Sequence, residues 1–178
     1  MIKMISVLVL GKSSYDSCID ICMISRAFGA SNITFFPSKG SAIEAKLKRS
    51  IKQANKKWGG NFSVYFCNNW EKFIKEKRNY LKIYLTRYGM PIIKMRYRIS
   101  TYKNILLITS FSESIKAAYD AADFNISISS QPHTCGSSIA IFLHDFYQGR
   151  ELAMRFENPK YKVVPSQHGV EIKPNKSN

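Results

Sequence analysis

Acidic residues are scarce in this chain: 12 Asp and Glu stand against 27 Lys and Arg in 178 residues, a net charge of +15. Cysteine and histidine are scarcer, at four and three. Cys18, Cys22, Cys67 and Cys135 include no CxxC pair, and no second ligand pair accompanies the helical-turn spacing of Cys18 and Cys22. A disulfide framework and a structural zinc site are therefore not expected, nor is any other metal centre, and reduced thiols in the cytoplasm are the default. No apolar run reaches the roughly 18 residues that a membrane span requires. The opening MIKMISVLVLGKSS has a short apolar run but no small-residue cleavage site after it, so it reads as a buried first strand rather than a signal peptide. Internal repeats and low-complexity stretches are missing. So is the GxGxxG dinucleotide fingerprint, and GKSS at 11–14 lacks the glycine five positions earlier that a phosphate loop needs, since that position is Ser6.

What is present is an apolar fraction of 45%, enough for the core of one domain over residues 1–165, followed by a polar tail, 166–178, expected to be loose. The cationic excess is concentrated: residues 46–103 carry 16 Lys and Arg and only two acids, Glu71 and Glu76. Such a surface concentrates polyanions and binds them with salt-dependent affinity, which points to nucleic acid.

Short apolar runs alternate with helical patterns along most of the chain. Strands are expected over 5–10, 32–36, 62–66, 81–85, 105–109, 124–128 and 161–164. Helices are expected over 17–28, from a cap at Ser41 to about 57, over 70–78 after an Asn68 or Asn69 cap, over 113–122 and over 134–147. Residues 89–100 read as helical only after Pro91. Continuous apolar strands separated by helices define an α/β domain with a mostly parallel sheet and helices on both faces. Ligands of such sheets bind beyond the carboxyl ends of the strands.

Three post-strand loops share one character. LTRYGMP (85–91), ITSFSES (108–114) and ISSQPHTCG (128–136) each end an apolar strand and turn rigid or polar. Backbone groups of three such loops at one sheet edge suit an adenine edge and a ribose. Among the histidines, His133 follows Pro132 at a strand-to-helix junction and is the site candidate, whereas His144 lies among apolar helix neighbours and His168 in the tail.

The stretches SRAFGA (25–30), KWGG with Phe62, NNW (68–70), LTRYGM (85–90), YDAADFNISI (119–128), SQPH (130–133) and KYKVVPSQHG (160–169) together cover nearly the whole chain. On these the sequence resembles the archaeal tRNA cytidine-56 2'-O-methyltransferases of the SPOUT class. The resemblance implies a C-terminal deep trefoil knot, S-adenosylmethionine as cofactor, tRNA as substrate and a homodimer. It implies a cofactor site made of Leu85, then Ser110, Phe111, Ser112, Glu113 and Ser114, then Ile128, Ser129, Ser130, Gln131, Pro132, His133, Thr134 and Cys135.

The family's first loop is arginine-rich, and an arginine there is the usual group for orienting or activating the ribose hydroxyl. Here that loop is Lys12-Ser-Ser-Tyr-Asp-Ser-Cys18. Lys12, Arg87, or Arg26 reaching over from a partner subunit are the candidates to replace it. The same departure leaves open a second reading, a diverged paralogue that binds tRNA with weak or lost catalysis.

Overall fold

The alternating pattern folds as a six-stranded parallel sheet in a computed structural model that describes residues 4–38, 40–112 and 115–175. The elements run β1 (Met4–Leu10), α1 (Tyr15–Ala27), β2 (Asn32–Phe36), α2 (Ser41–Trp58), β3 (Ser63–Phe66), α3 (Trp70–Glu76) and β4 (Leu81–Pro91). They continue with α4 (Ile92–Ser100), β5 (Asn104–Ser110), α5 (Lys116–Ala121), β6 (Phe124–Ser127), α6 (Cys135–Tyr147), β7 (Tyr161–Val164) and β8 (Glu171–Pro174). The sheet order is β3-β2-β1-β5-β4-β6, and every pairing in it is parallel.

Parallel strands covered on both faces must be apolar on both faces, which is why β1 reads as a continuous run. Ile5, Val7 and Val9 pack with residues of α1, α2, α4 and α6 in one cluster. Leu8 and Leu10 point the other way, onto Trp70 and Ile74 of α3 and Ala118 of α5. At roughly 25 cal/mol per Å² of apolar surface removed from water, these two layers dominate the stabilisation.

Local chemistry sets several boundaries differently from the sequence expectations. Helix α1 starts earlier than residue 17, because the Ser14 hydroxyl accepts from the backbone N–H of Ser17 at 3.2 Å. Ser41 does not cap α2; it is the first helical residue, and the cap position is Gly40, with φ of 85°. Asn69, not Asn68, caps α3. Strand β4 does not stop at Leu85. Ile126 of β6 is paired with both Leu85 and Met90, so residues 86–89 loop out and Pro91 rejoins the ladder opposite Ser127. The stretch from Pro165 is not uniformly loose either, because β8 pairs antiparallel with β7 and the N–H of Asn175 donates to the Lys160 carbonyl.

Candidate functional site

The carboxyl ends of β4 and β5, the start of α6 and one side of α1 line a cavity of about 580 Å³, within the roughly 300–1,000 Å³ typical of small-molecule sites. Its position follows from the topology, since a parallel sheet brings all its post-strand loops to one edge.

The third loop is held by a chain of side-chain bonds. Thr134 caps α6 by accepting from the N–H of Ser137 at 3.2 Å. One turn in, the Ser138 hydroxyl lies 3.0 Å from His133 Nδ1, which ties the His133 ring to the helix start. The Cys135 thiol donates to the Ser110 carbonyl at 2.8 Å and so joins the third loop to the second. Burial pushes the Cys135 thiol above the ordinary thiol range, with the Thr109 hydrogen bond opposing. In the second loop the Ser110 hydroxyl accepts from the N–H of Ser112 at 3.2 Å, and the Phe111 ring stacks on Phe35 with centroids 6.5 Å apart.

The first of the three loops is braced from below. Thr86 and Tyr119 share a hydroxyl hydrogen bond of 2.6 Å. Tyr119 meets Tyr84 edge to face at 5.1 Å. The buried Tyr84 hydroxyl accepts from the N–H of Ile115, and desolvation pushes its pKa above the usual phenol value. Gly89 presses against β6: a methyl group there would come within 2.5 Å of the Asn125 carbonyl. Only glycine permits that approach.

Of the expected cofactor residues, Leu85, Ser110, Phe111, Ser112, Pro132, His133, Thr134 and Cys135 line the cavity. Ile128, Ser129, Ser130 and Gln131 do not; they form the connection into the loop, where the Ser129 hydroxyl accepts from the N–H of Gln131 at 3.1 Å. Glu113 and Ser114 lie outside the described residues. Tyr84, Thr86, Thr109, Gly136 and Ser138 complete the three-loop wall, and Ser17, Asp20, Ile21 and Ile24 of α1 supply a fourth. Helix α1 carries no loop signal in the sequence and enters the cavity through packing on α6: Gly136 leaves room for Ile24 Cδ1, which would otherwise sit 2.7 Å from a Cβ.

The three candidate cations separate clearly. Arg87 lines the cavity, stacked on Tyr88 at 4.9 Å. Lys12 is exposed on the loop after β1 and does not line it. Arg26 is 7% exposed. It donates to Asn55 Oδ1 at 2.9 Å and to the Gly59 carbonyl, and it covers the Phe156 ring at 4.8 Å. Arg26 is thus a structural cation joining α1, α2 and the C-terminal segment, and is not available to a partner's active site. His144 is also structural, bonded through Nδ1 to the buried Glu151 at 2.6 Å.

The cavity's chemistry fits S-adenosylmethionine. Leu85, Ile21, Ile24 and Phe111 offer apolar faces to a purine, while hydroxyls and loop backbone offer hydrogen bonds. Among the described residues that line it, Asp20 is the one carboxylate, suited to a cationic amino group or a ribose.

Solved structures that share this architecture include RNA methyltransferases. One is the SpoU methyltransferase AviRb from Streptomyces viridochromogenes in complex with AdoMet, with a TM-score of 0.65 at 12% identity; the match covers 84% of this chain and only 59% of that one. A putative RNA methyltransferase from Bacillus anthracis gives 0.65 at 16% identity, covering 86% of this chain and 99% of that one. The fold is therefore that of the SpoU class.

The family model for tRNA ribose 2'-O-methyltransferase, aTrm56, matches residues 58–173. The tRNA (cytidine(56)-2'-O)-methyltransferase of Methanocaldococcus jannaschii is 34% identical over 165 residues, covering 89% of this chain and 88% of that protein. The enzyme of the same name from Nitrosopumilus maritimus is 30% identical over 154 residues, covering 85% and 84%. This chain belongs to the tRNA ribose 2'-O-methyltransferase family.

Proposed function

We propose that this protein methylates the ribose 2'-oxygen of cytidine 56 in the T-loop of tRNA, using S-adenosylmethionine. The observation that carries the reading is the family match over most of the chain, joined to a cavity of suitable chemistry at the expected loops. The cofactor supplies a methyl group on a sulfonium sulfur. Leu85, Phe111 and the backbone of the second and third loops hold the adenosine end, and Pro132 with His133 forms one lip of the cavity.

Methyl transfer needs the ribose oxygen in line with the methyl group, and positioning provides much of the rate. The oxygen must also become more nucleophilic as its proton is released to solvent. Arg87 is the cation for that task. A guanidinium stays charged, so it acts by holding the hydroxyl and stabilising negative charge on the oxygen rather than by taking the proton. The missing first-loop arginine is thereby replaced from another loop. Lys12, exposed on the loop after β1, is suited to an RNA phosphate.

A deep trefoil knot, in which the C-terminal part of the chain threads a loop, goes with membership of this family. A homodimer working in the cytoplasm is part of the same reading. No helix among the described residues is long and apolar enough to cross a membrane.

Incubation of the protein with unmodified tRNA and methyl-labelled cofactor tests the proposal. The expected product is 2'-O-methylcytidine at position 56. Cofactor and tRNA binding without product would establish the second reading, a tRNA-binding relative that has lost catalysis, whose specific support is the loss of the first-loop arginine.

A further inference from the structure

The cofactor cavity occupies one part of the molecule, but a tRNA is far larger than that cavity. A second concavity of about 320 Å³ lies between α2 and the edge strand β3 and shares no residue with the first. Lys48 and Lys52, one helical turn apart on α2, form one wall. The other wall takes in the consecutive residues Ser63, Val64 and Tyr65. Successive side chains of a strand point to opposite faces, so what three consecutive residues share on one side is the strand edge. Among the described residues β3 pairs with β2 alone, so it is the edge strand of the sheet, with N–H and carbonyl groups on its outer side available to a partner.

The notch floor is rigid. Arg26 holds Asn55 Oδ1, and Asn55 Nδ2 in turn donates to the Phe62 carbonyl at 2.8 Å, which clamps the turn between α2 and β3. Its surroundings are strongly positive. Lys46, Lys48, Arg49, Lys52, Lys56 and Lys57 are exposed along α2, and among the described residues no salt bridge neutralises any of them. The stripe continues onto the β7–β8 hairpin, where the N–H of Lys160 donates to the Lys56 carbonyl at 3.3 Å. Tyr65 borders the notch with 53% of its surface exposed, an aromatic surface next to cations.

Cations that neutralise phosphates, free backbone N–H groups and an exposed ring together match the chemistry of an RNA backbone with an unstacked base. We infer that the α2–β3 notch is a second tRNA-binding surface, engaging a phosphate–ribose segment of the substrate away from the methylated ribose. This rests on tRNA being the substrate.

The test compares full-length wild type with K48E/K52E and with K72E/K75E, which makes the same charge change on exposed positions of α3. tRNA affinity is measured by filter binding across a salt series, and methyl transfer by steady-state kinetics. S-adenosylhomocysteine binding by calorimetry reports that each variant is folded. K48E/K52E is expected to weaken tRNA binding at least ten-fold and to flatten the salt slope by about 1 to 2. The loss is expected in KM for tRNA rather than in kcat, and K72E/K75E is expected to lose less than a third as much affinity. Equal losses in both variants would reduce the effect to bulk charge and overturn the inference. Unchanged tRNA affinity with self-association of K48E/K52E would also overturn it, showing that the lysines only guard the sheet edge. An acidic protein in place of RNA as the notch's partner would give the same null result for tRNA. If wild type binds tRNA without methylating it, the proposed activity fails while the binding arm still decides the notch.

Discussion

Gly89 and Asn125 are in direct backbone contact: an added Cβ at Gly89 would lie 2.5 Å from the carbonyl carbon and oxygen of Asn125 and 2.6 Å from the N–H nitrogen of Ile126. The neighbour is main chain, which cannot swing aside as a side chain would. Gly89→Ala should therefore displace loop 86–89 from β6. Overpacking of this kind costs about 1–3 kcal/mol or more, so Tm should fall by roughly 4–10 °C. Cofactor affinity should drop with it, because Thr86 and Arg87 line the cavity on the same loop. A thermal melt with an S-adenosylhomocysteine titration checks both; an unchanged melt would contradict the contact.

Arg87→Gln should lower kcat for tRNA methylation by about 10²-fold or more, the usual scale for losing a donor that stabilises developing negative charge. Arg87→Lys should recover part of the rate, since a point charge replaces the forked guanidinium. Binding of S-adenosylhomocysteine, measured separately by calorimetry, should change far less than kcat. A variant with wild-type kcat would remove Arg87 from the reaction.

Arg26→Met should act on stability instead. Losing the bonds to Asn55 and the Gly59 carbonyl leaves buried acceptors unpaired, at about 1.5–3 kcal/mol for a charged hydrogen bond. Tm should fall by roughly 5–10 °C. S-adenosylhomocysteine should still bind the folded fraction as before, because Arg26 lines no part of the cavity. A loss of cofactor affinity without a loss of Tm would refute the structural role.

Stability should decline on the alkaline side. Burial raises Cys22, Cys135, Tyr84 and Tyr147, so each holds its proton more tightly folded than unfolded. A raised acid contributes stability that is complete below its unfolded pKa and is lost as pH rises through the folded one. Unfolded thiols ionise near pH 8.5 and phenols near 10, so Tm should fall progressively from about pH 8 towards 10 and beyond. Alkylation by iodoacetamide at pH 8 should spare Cys22 in the folded protein and label it after denaturation. Flat melts across that range would contradict the burial.

Much of the fold was legible because it depends on patterns that neighbouring residues write together. The continuous apolar runs of β1 and β5 identify buried parallel strands, and the Thr134 cap marks the start of α6, because these features arise within a few residues of chain. The three loops that line the cavity were legible for the same reason, each being a strand end followed by polar or rigid residues. Helix α1 was not legible as a cavity wall. Asp20 and Ile24 reach the site through α1–α6 packing, a relation between residues more than a hundred positions apart. Nor could spacing separate the three cations. Burial against Asn55, Gly59 and Phe156 makes Arg26 structural, loop 86–89 carries Arg87 into the cavity, and Lys12 is exposed on the loop after β1, outside the lining.

The sequence by itself determined the α/β class, the parallel sheet, the cationic surface and the family, since all four rest on local periodicity, composition and ordered motifs. Only the tertiary structure decided which cation meets the cavity, which loop residues line it and where the edge strand of the sheet meets the basic helix. Those are matters of long-range packing, in which a residue's role is set by what the folded chain brings against it.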